Sequence, residues 1–163
     1  MDTLRHPGMM DLPDLLNKLE ALKKAGKRIV FTNGCYDILH PGHVDLLERA
    51  KALGDALVLG LNSDASVKRQ GKGDDRPVNP YPVRAFVLAH LESVDFVVPF
   101  DEDTPAALIE AVQPDVLVKG GDWPVERIVG RETVQARGGE VVSLPLIEGY
   151  STTALIEKIR RGA

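Results

Sequence analysis

From Arg28 onward, short apolar runs alternate with stretches whose apolar residues recur at helical spacing. Parallel neighbouring strands can be joined only by a long crossover, usually a helix, so this rhythm is the mark of βαβ units. Strand candidates fall at residues 28–32, 56–61, 96–98, 116–118 and 140–144, each bounded by Gly, Pro, Asp or Asn. Helices are expected over 44–53, 83–91, 105–112, 126–136 and 153–160, with Thr104-Pro105 and Ser151 as start signals and Gly54 as a stop. The expected fold class is α/β, an open, parallel, five-stranded sheet with helices on both faces.

Composition narrows the possibilities. A chain of 163 residues, 44% hydrophobic and 27% charged, suits one domain with one core, residues 1–27 forming an N-terminal helical extension. With 20 basic and 24 acidic residues the formal charge is −4, which leaves no broad footprint for nucleic acid or an anionic membrane. Any anionic ligand must be met by local basic groups. Cys35 is the sole cysteine, which excludes an internal disulfide and a thiol-rich metal site. The apolar stretches are strand-sized and residues 1–10 lack a secretory-type apolar run, so a soluble, cytoplasmic protein is expected.

Two segments stand apart from the βα rhythm. Residues 11–24 carry Leu12, Leu15, Leu16, Leu19 and Leu22 on one helical stripe, which either packs on the domain or serves self-association. Residues 66–80 are polar, rich in Gly and charge and without periodicity, and read as a long mobile loop of the kind that carries function.

The run Thr32-Asn33-Gly34-Cys35-Tyr36-Asp37-Ile38-Leu39-His40-Pro41-Gly42-His43 leaves the first strand and enters a helix. Ligands of open α/β sheets bind at such strand ends, and the free N–H groups of a helix start favour phosphate. One histidine there would most simply cap or pack. Two of them, set apart by Pro41 and Gly42, favour a phosphate site instead. A zinc site is the weaker reading, because no third ligand or cysteine cluster accompanies them.

This segment resembles the HxGH motif of the nucleotidyltransferase superfamily, whose members share a Rossmann-like fold. Further blocks are similar to the branch that adenylylates D-glycero-β-D-manno-heptose 1-phosphate: Asn62-Ser63-Asp64-Ala65-Ser66, Arg76-Pro77-Val78-Asn79-Pro80, Phe100-Asp101-Glu102-Asp103-Thr104-Pro105, Val118-Lys119-Gly120-Gly121-Asp122 and Ser151-Thr152-Thr153. The resemblance runs from about Arg28 to Arg160. Some members carry this domain behind a sugar kinase; the length here implies a stand-alone adenylyltransferase.

The resemblance implies in-line attack of a sugar 1-phosphate on the α-phosphorus of ATP, with Mg2+ neutralising the phosphates. A phosphate monoester, with its second pKa near about 6, arrives already ionised, so alignment and charge stabilisation matter more than a base. His40, His43 and Lys119 are then the catalytic candidates. Thr32, Asn33, Gly34, Cys35 and Gly42 would cradle the nucleotide, Gly120 and Asp122 would approach ribose or base, and Ser151, Thr152 and Thr153 would meet the β- and γ-phosphates. Lys119 is expected to stand in for an arginine that related cytidylyltransferases place upstream of the Ser-Thr-Thr turn, where this chain has Leu146-Ile147-Glu148.

From the loop, Lys68 and Arg69 are preferred over Lys72 as triphosphate contacts, because Gln70-Gly71-Lys72-Gly73 runs one residue longer than the branch usually does. Asp37, Arg76 and Arg84 are assigned to the acceptor, with capping or salt-bridge roles as the plainer reading. Trp123 would stack on a base or cover the core edge, and Cys35 fills space. Two rival functions stay open: a cytidylyltransferase acting on glycerol 3-phosphate, and a silent nucleotide-binding module working through residues 11–24. A homo-oligomer is expected by the same resemblance.

Overall fold

The computed structural model describes residues 3–121 and 123–162. Its centre is one parallel sheet of β1 (Ile29–Gly34), β2 (Ala56–Asn62), β3 (Phe96–Phe100), β4 (Val116–Gly120) and β5 (Glu140–Leu144), in the order β3-β2-β1-β4-β5. The expected fold class is met. All five expected strands are present, and four extend past their expected C-terminal ends. In β1 and β4 those extra residues, Asn33, Gly34, Lys119 and Gly120, are polar or glycine, because there the C-terminal edge of the sheet faces a cleft instead of the core.

Alternation along each strand splits the core in two. On one face Ile29, Phe31, Val58 and Leu117 pack under α1 (Leu12–Lys24), α5 (Ala106–Val112) and α6 (Arg131–Gln135). On the other face Val30, Leu57, Leu59 and Val118 pack under α2 (Pro41–Lys51) and α4 (Tyr81–Ala89). The stripe of residues 11–24 is therefore spent on the core: Leu15 and Leu19 are fully buried. Asp11 caps α1 through the amide of Asp14, and Lys23 donates to the carbonyls of Val112 and Gln113 at the end of α5. Ahead of α1, Met9 bridges to Val97 and covers the outer edge of β3.

Two expectations are corrected. Residues 66–80 are not all loop, since α3 (Asp64–Arg69) continues out of β2 under an N-cap from Ser63, whose hydroxyl accepts from the amide of Ser66. The helix expected over 126–136 is broken into a 3-10 turn (Val125–Arg127) and α6, because Gly130 sits at φ +89, where a side chain would strike Ile109. The last helix, α7 (Thr152–Arg160), follows β5 and closes the site.

Among the described residues no helix is long and apolar enough to cross a membrane.

Candidate active site

β1 sits mid-sheet, and successive strands leave it in opposite directions, β2 and β3 to one side and β4 and β5 to the other. At this switch point the loops diverge and leave a crevice. There a cleft of about 440 Å³ opens, lined by the end of β1, the start of α2, Lys72, Arg76, Lys119 and the start of α7.

His40 is the N-cap residue of α2, in extended backbone geometry, yet its side chain makes no capping bond. The imidazole is instead laid over that of His43, with ring centroids 3.8 Å apart and planes 22° apart. Gly42 permits this, since a Cβ there would come within 3.0 Å of the His40 ring. Tyr36 packs against the other side of His43 at 5.1 Å between centroids. It holds a left-handed φ of +45, which costs an aromatic residue roughly 1–3 kcal/mol and is retained where the surroundings over-determine it.

The Nδ1 atoms of both histidines are buried without a hydrogen-bond partner among the described residues. Such atoms are expensive to leave unsatisfied, which marks a place where a ligand belongs. Burial lowers the pKa of both rings, and for His43, with His40 and Lys72 adding to the effect, it falls to about 4. At neutral pH the pair is uncharged, and each ring keeps one N–H to donate. An arriving phosphate favours the protonated form and turns these weak donors into strong ones.

Asp37 borders the cleft, but its side chain is fully buried and its carboxylate is engaged within the protein. Its Oδ1 accepts from the amide of Asn79, and its Oδ2 accepts from the amide of Val78 and from Nε of Arg76 at 2.7 Å. Burial alone would raise this carboxyl, but the Asn79 and Val78 amides and the guanidinium outweigh it and hold the pKa low. With both oxygens occupied, Asp37 is a clasp for the loop, and Arg76 is the face of that clasp that lines the cleft. Arg84 does not line the cleft. It is 2% exposed and donates to the carbonyls of Cys35 and Asn79 and to the carboxylate of Asp64, tying α4 to the loop after β1.

The loop cations also sort differently from expectation. Arg69 is held outside the cleft by Asp101 and Asp103, and Lys68 does not line it either. Lys72 does, with Nζ 3.6 Å from Sγ of Cys35, which in turn faces Gln70. Lys119 lines the cleft as expected, its pKa lowered by burial and by Lys72, with its ammonium 5.6 Å from the Trp123 ring centroid. Asn33, Gly34, Cys35, Gly42, Gly120, Ser151, Thr152 and Thr153 all border the cleft. Thr32 lies behind it, its hydroxyl donating to the carbonyl of Val118 across the β1–β4 pair. Asp122 lies outside the described residues.

Facing the histidines is the start of α7, capped by Ser151 through the amide of Ala154, with Thr152 donating to the carbonyl of Ile38. Tyr150 stacks towards His40 at 6.2 Å, and Leu146 and Ile147 form an exposed apolar rim. Sequence reasoning ranked Lys72 below Lys68 and Arg69 and gave no role to Tyr36 or Tyr150, all three of which line the cleft. Tyr36 lies inside the Thr32–His43 run and Tyr150 beside the Ser-Thr-Thr turn, but nothing local marks them as cleft walls.

The profile of the cytidylyltransferase-like family matches residues 31–158, from within β1 to within α7. The chain belongs to that family. Among family relatives, the bifunctional protein HldE of Halorhodospira halophila is 57% identical over 153 residues, 94% of this chain and 32% of that protein. HldE of Nitrobacter hamburgensis is 58% identical over 145 residues, 89% of this chain and 29% of its own length. This chain thus spans about a third of the curated relatives it matches. Among solved structures, the lipopolysaccharide core biosynthesis protein from Thermoplasma volcanium superposes with a TM-score of 0.61 at 26% identity, covering 77% of this chain and all of that one. Pantoate-beta-alanine ligase from Francisella tularensis shares the fold alone, with a TM-score of 0.59 at 14% identity over 94% of this chain and 76% of that chain.

Proposed function

We propose that the protein transfers the adenylyl group of ATP to D-glycero-β-D-manno-heptose 1-phosphate, releasing pyrophosphate and forming ADP-heptose for the inner core of lipopolysaccharide. The observation that carries the reading is the stacked His40–His43 pair, whose buried Nδ1 atoms lack partners and which faces the capped start of α7 across one cleft. Identity of 57–58% to HldE proteins supports the choice of acceptor and nucleotide.

In this reading the triphosphate lies between the two helix starts, with its β- and γ-phosphates at Ser151, Thr152 and Thr153. The α-phosphate meets His40 and His43, and charge accumulating on it draws their N–H donors tighter in the transition state. Lys119 and Lys72 flank the same space, Lys72 taking the place sought for Lys68 and Arg69. Among the described residues no group of three His, Cys, Asp or Glu is arranged to hold a metal, and both oxygens of Asp37 are engaged. Magnesium would enter with the nucleotide as MgATP and neutralise charge on its phosphates. A soluble cytoplasmic enzyme and a homo-oligomer complete the reading.

The test is pyrophosphate release with four nucleoside triphosphates crossed against a panel of sugar 1-phosphates and glycerol 3-phosphate. ATP with the heptose phosphate should turn over fastest. Preferred use of CTP with glycerol 3-phosphate would replace this reading by the family's namesake chemistry. In the same assay His43→Ala should lose about 10²–10³-fold in single-turnover rate, the scale of one lost transition-state donor. Undiminished rate would remove the histidines from the mechanism.

A further inference from the structure

Among the described residues neither imidazole of the His40–His43 pair has a hydrogen-bond partner, and the His40 side chain leaves the first-turn amides of α2 uncapped. The outer torsion of a histidine is broad, so an unbonded ring swings unless its neighbours hold it. Donors that stabilise a transition state must be aimed to within about 10–20°. The direction of these N–H groups is therefore set by the rings packed beside them.

Four rings form a column in the order Tyr36, His43, His40, Tyr150, with successive centroids 5.1, 3.8 and 6.2 Å apart. The last contact is nearly parallel, at 15° between planes, within the spacing of offset-stacked aromatic pairs. The two ends of the column differ. Tyr36 is 6% exposed and packs with Leu46 and Leu47 of α2 in the core, so its end is fixed. Tyr150 is 48% exposed and belongs to the other wall, directly ahead of Ser151, the cap of α7. Gly149 before it takes a φ of +90 with open space around it, a turn that only glycine makes without strain. The Tyr150 Cβ also lies over the histidine turn, 3.6 Å from where a Cβ on Gly42 would stand. Tyr150 thus moves with the start of α7 while its ring rests on His40.

We propose that Tyr150 is a positioning residue: its ring closes the open face of His40 and aims that imidazole at the α-phosphate once the start of α7 has seated the rest of the triphosphate. The role rests on the nucleotidyl-transfer reading above but not on which nucleotide or acceptor is used.

The test compares Tyr150→Ala and Tyr150→Phe in the full chain, with whichever nucleotide and acceptor the panel above selects. Tyr150→Ala should lower kcat about five- to tenfold, the scale of one ring contact, and leave KM for the nucleotide unchanged. Tyr150→Phe keeps the ring and should restore most of the rate. A second readout needs no substrate. Burial holds the pKa of His40 below the ordinary 6.5, so uncovering its face should move the NMR titration of that ring upward in Tyr150→Ala and leave it in place in Tyr150→Phe. His43, Lys72 and Lys119 border the same cleft and are untouched by either change. A higher KM for the nucleotide at unchanged kcat would make Tyr150 a nucleotide contact instead. An alanine variant as fast as the parent, or a His40 titration that stays in place, would leave the fourth ring without a role. Each of these results overturns the proposal. A parent that releases no pyrophosphate with any acceptor refutes the transfer reading, while the ring titration still decides whether Tyr150 holds His40.

Discussion

The two walls of the cleft are built on different principles. The β1–β2 wall is apolar and closed, with β2 buried at every position and Leu46, Leu47 and Ala50 of α2 seated on it. In the β5–α7 wall neither element has a fully buried residue, and Ile159 is 65% exposed. α7 is held by polar tethers: Thr152 to Ile38 at its start and Arg160 to Asp75 near its end. Segments with little apolar burial open at lower free energy than the core does. In the proposed reaction the contrast gives rigidity to the histidine wall, where transition-state geometry would be held, and adaptability to the α7 wall, where a triphosphate would be admitted and released.

The contrast breaks most visibly at Asp37. Asp37→Ala leaves Arg76 buried without its partner and strips the Val78 and Asn79 amides of their acceptor, so denaturant unfolding should show about 3–5 kcal/mol of lost stability. A loss well under about 1 kcal/mol would mean the loop is held by something other than this clasp.

Acid should weaken the same wall next. His43 has a pKa lowered from 6.5 to about 4, so between those values the unfolded chain binds a proton that the folded chain refuses. Its contribution is fully present above pH 6.5 and is lost as pH falls towards 4, and saturating MgATP should oppose the loss by favouring the charged ring. Thermal unfolding across this range, in the parent and in His43→Gln, measures it; a parent Tm no more acid-sensitive than the variant's would refute the assignment.

The smallest effect belongs to the α7 wall. Ser151→Ala removes one cap, about 1 kcal/mol, and should fray the start of α7 without lowering global stability by more than that. The readout is weaker ATP binding, about fivefold, with faster amide exchange confined to α7. Exchange that quickens in β2 as well would show that the two walls form one cooperative unit.

Much of the sheet was legible because a strand declares itself by residues that are neighbours in sequence. The histidine pair was legible for the same reason, the motif being contiguous. Long side chains were not. Arg84, Arg69 and Lys72 carry flexible stems whose direction depends on partners far along the chain: Asp64 and Cys35 for the first, Asp101 and Asp103 for the second, and the cleft itself for the third. α3 was hidden by its short length and polar composition, although Ser63 three residues ahead of Ser66 was a usable cap signal.

Local pattern by itself determined the α/β class, the five strands and the strand-to-helix turn that brings His40 and His43 together. These depend on alternation, glycine and proline placement and a run of adjacent residues. Only the tertiary structure decided that β4 lies beside β1, that the carboxylate of Asp37 clasps a distant loop, and that Arg84 ties α4 to the loop after β1. Strand order and long-range pairing are set by how apolar faces and charges are jointly satisfied across the whole chain, and no local window holds that information.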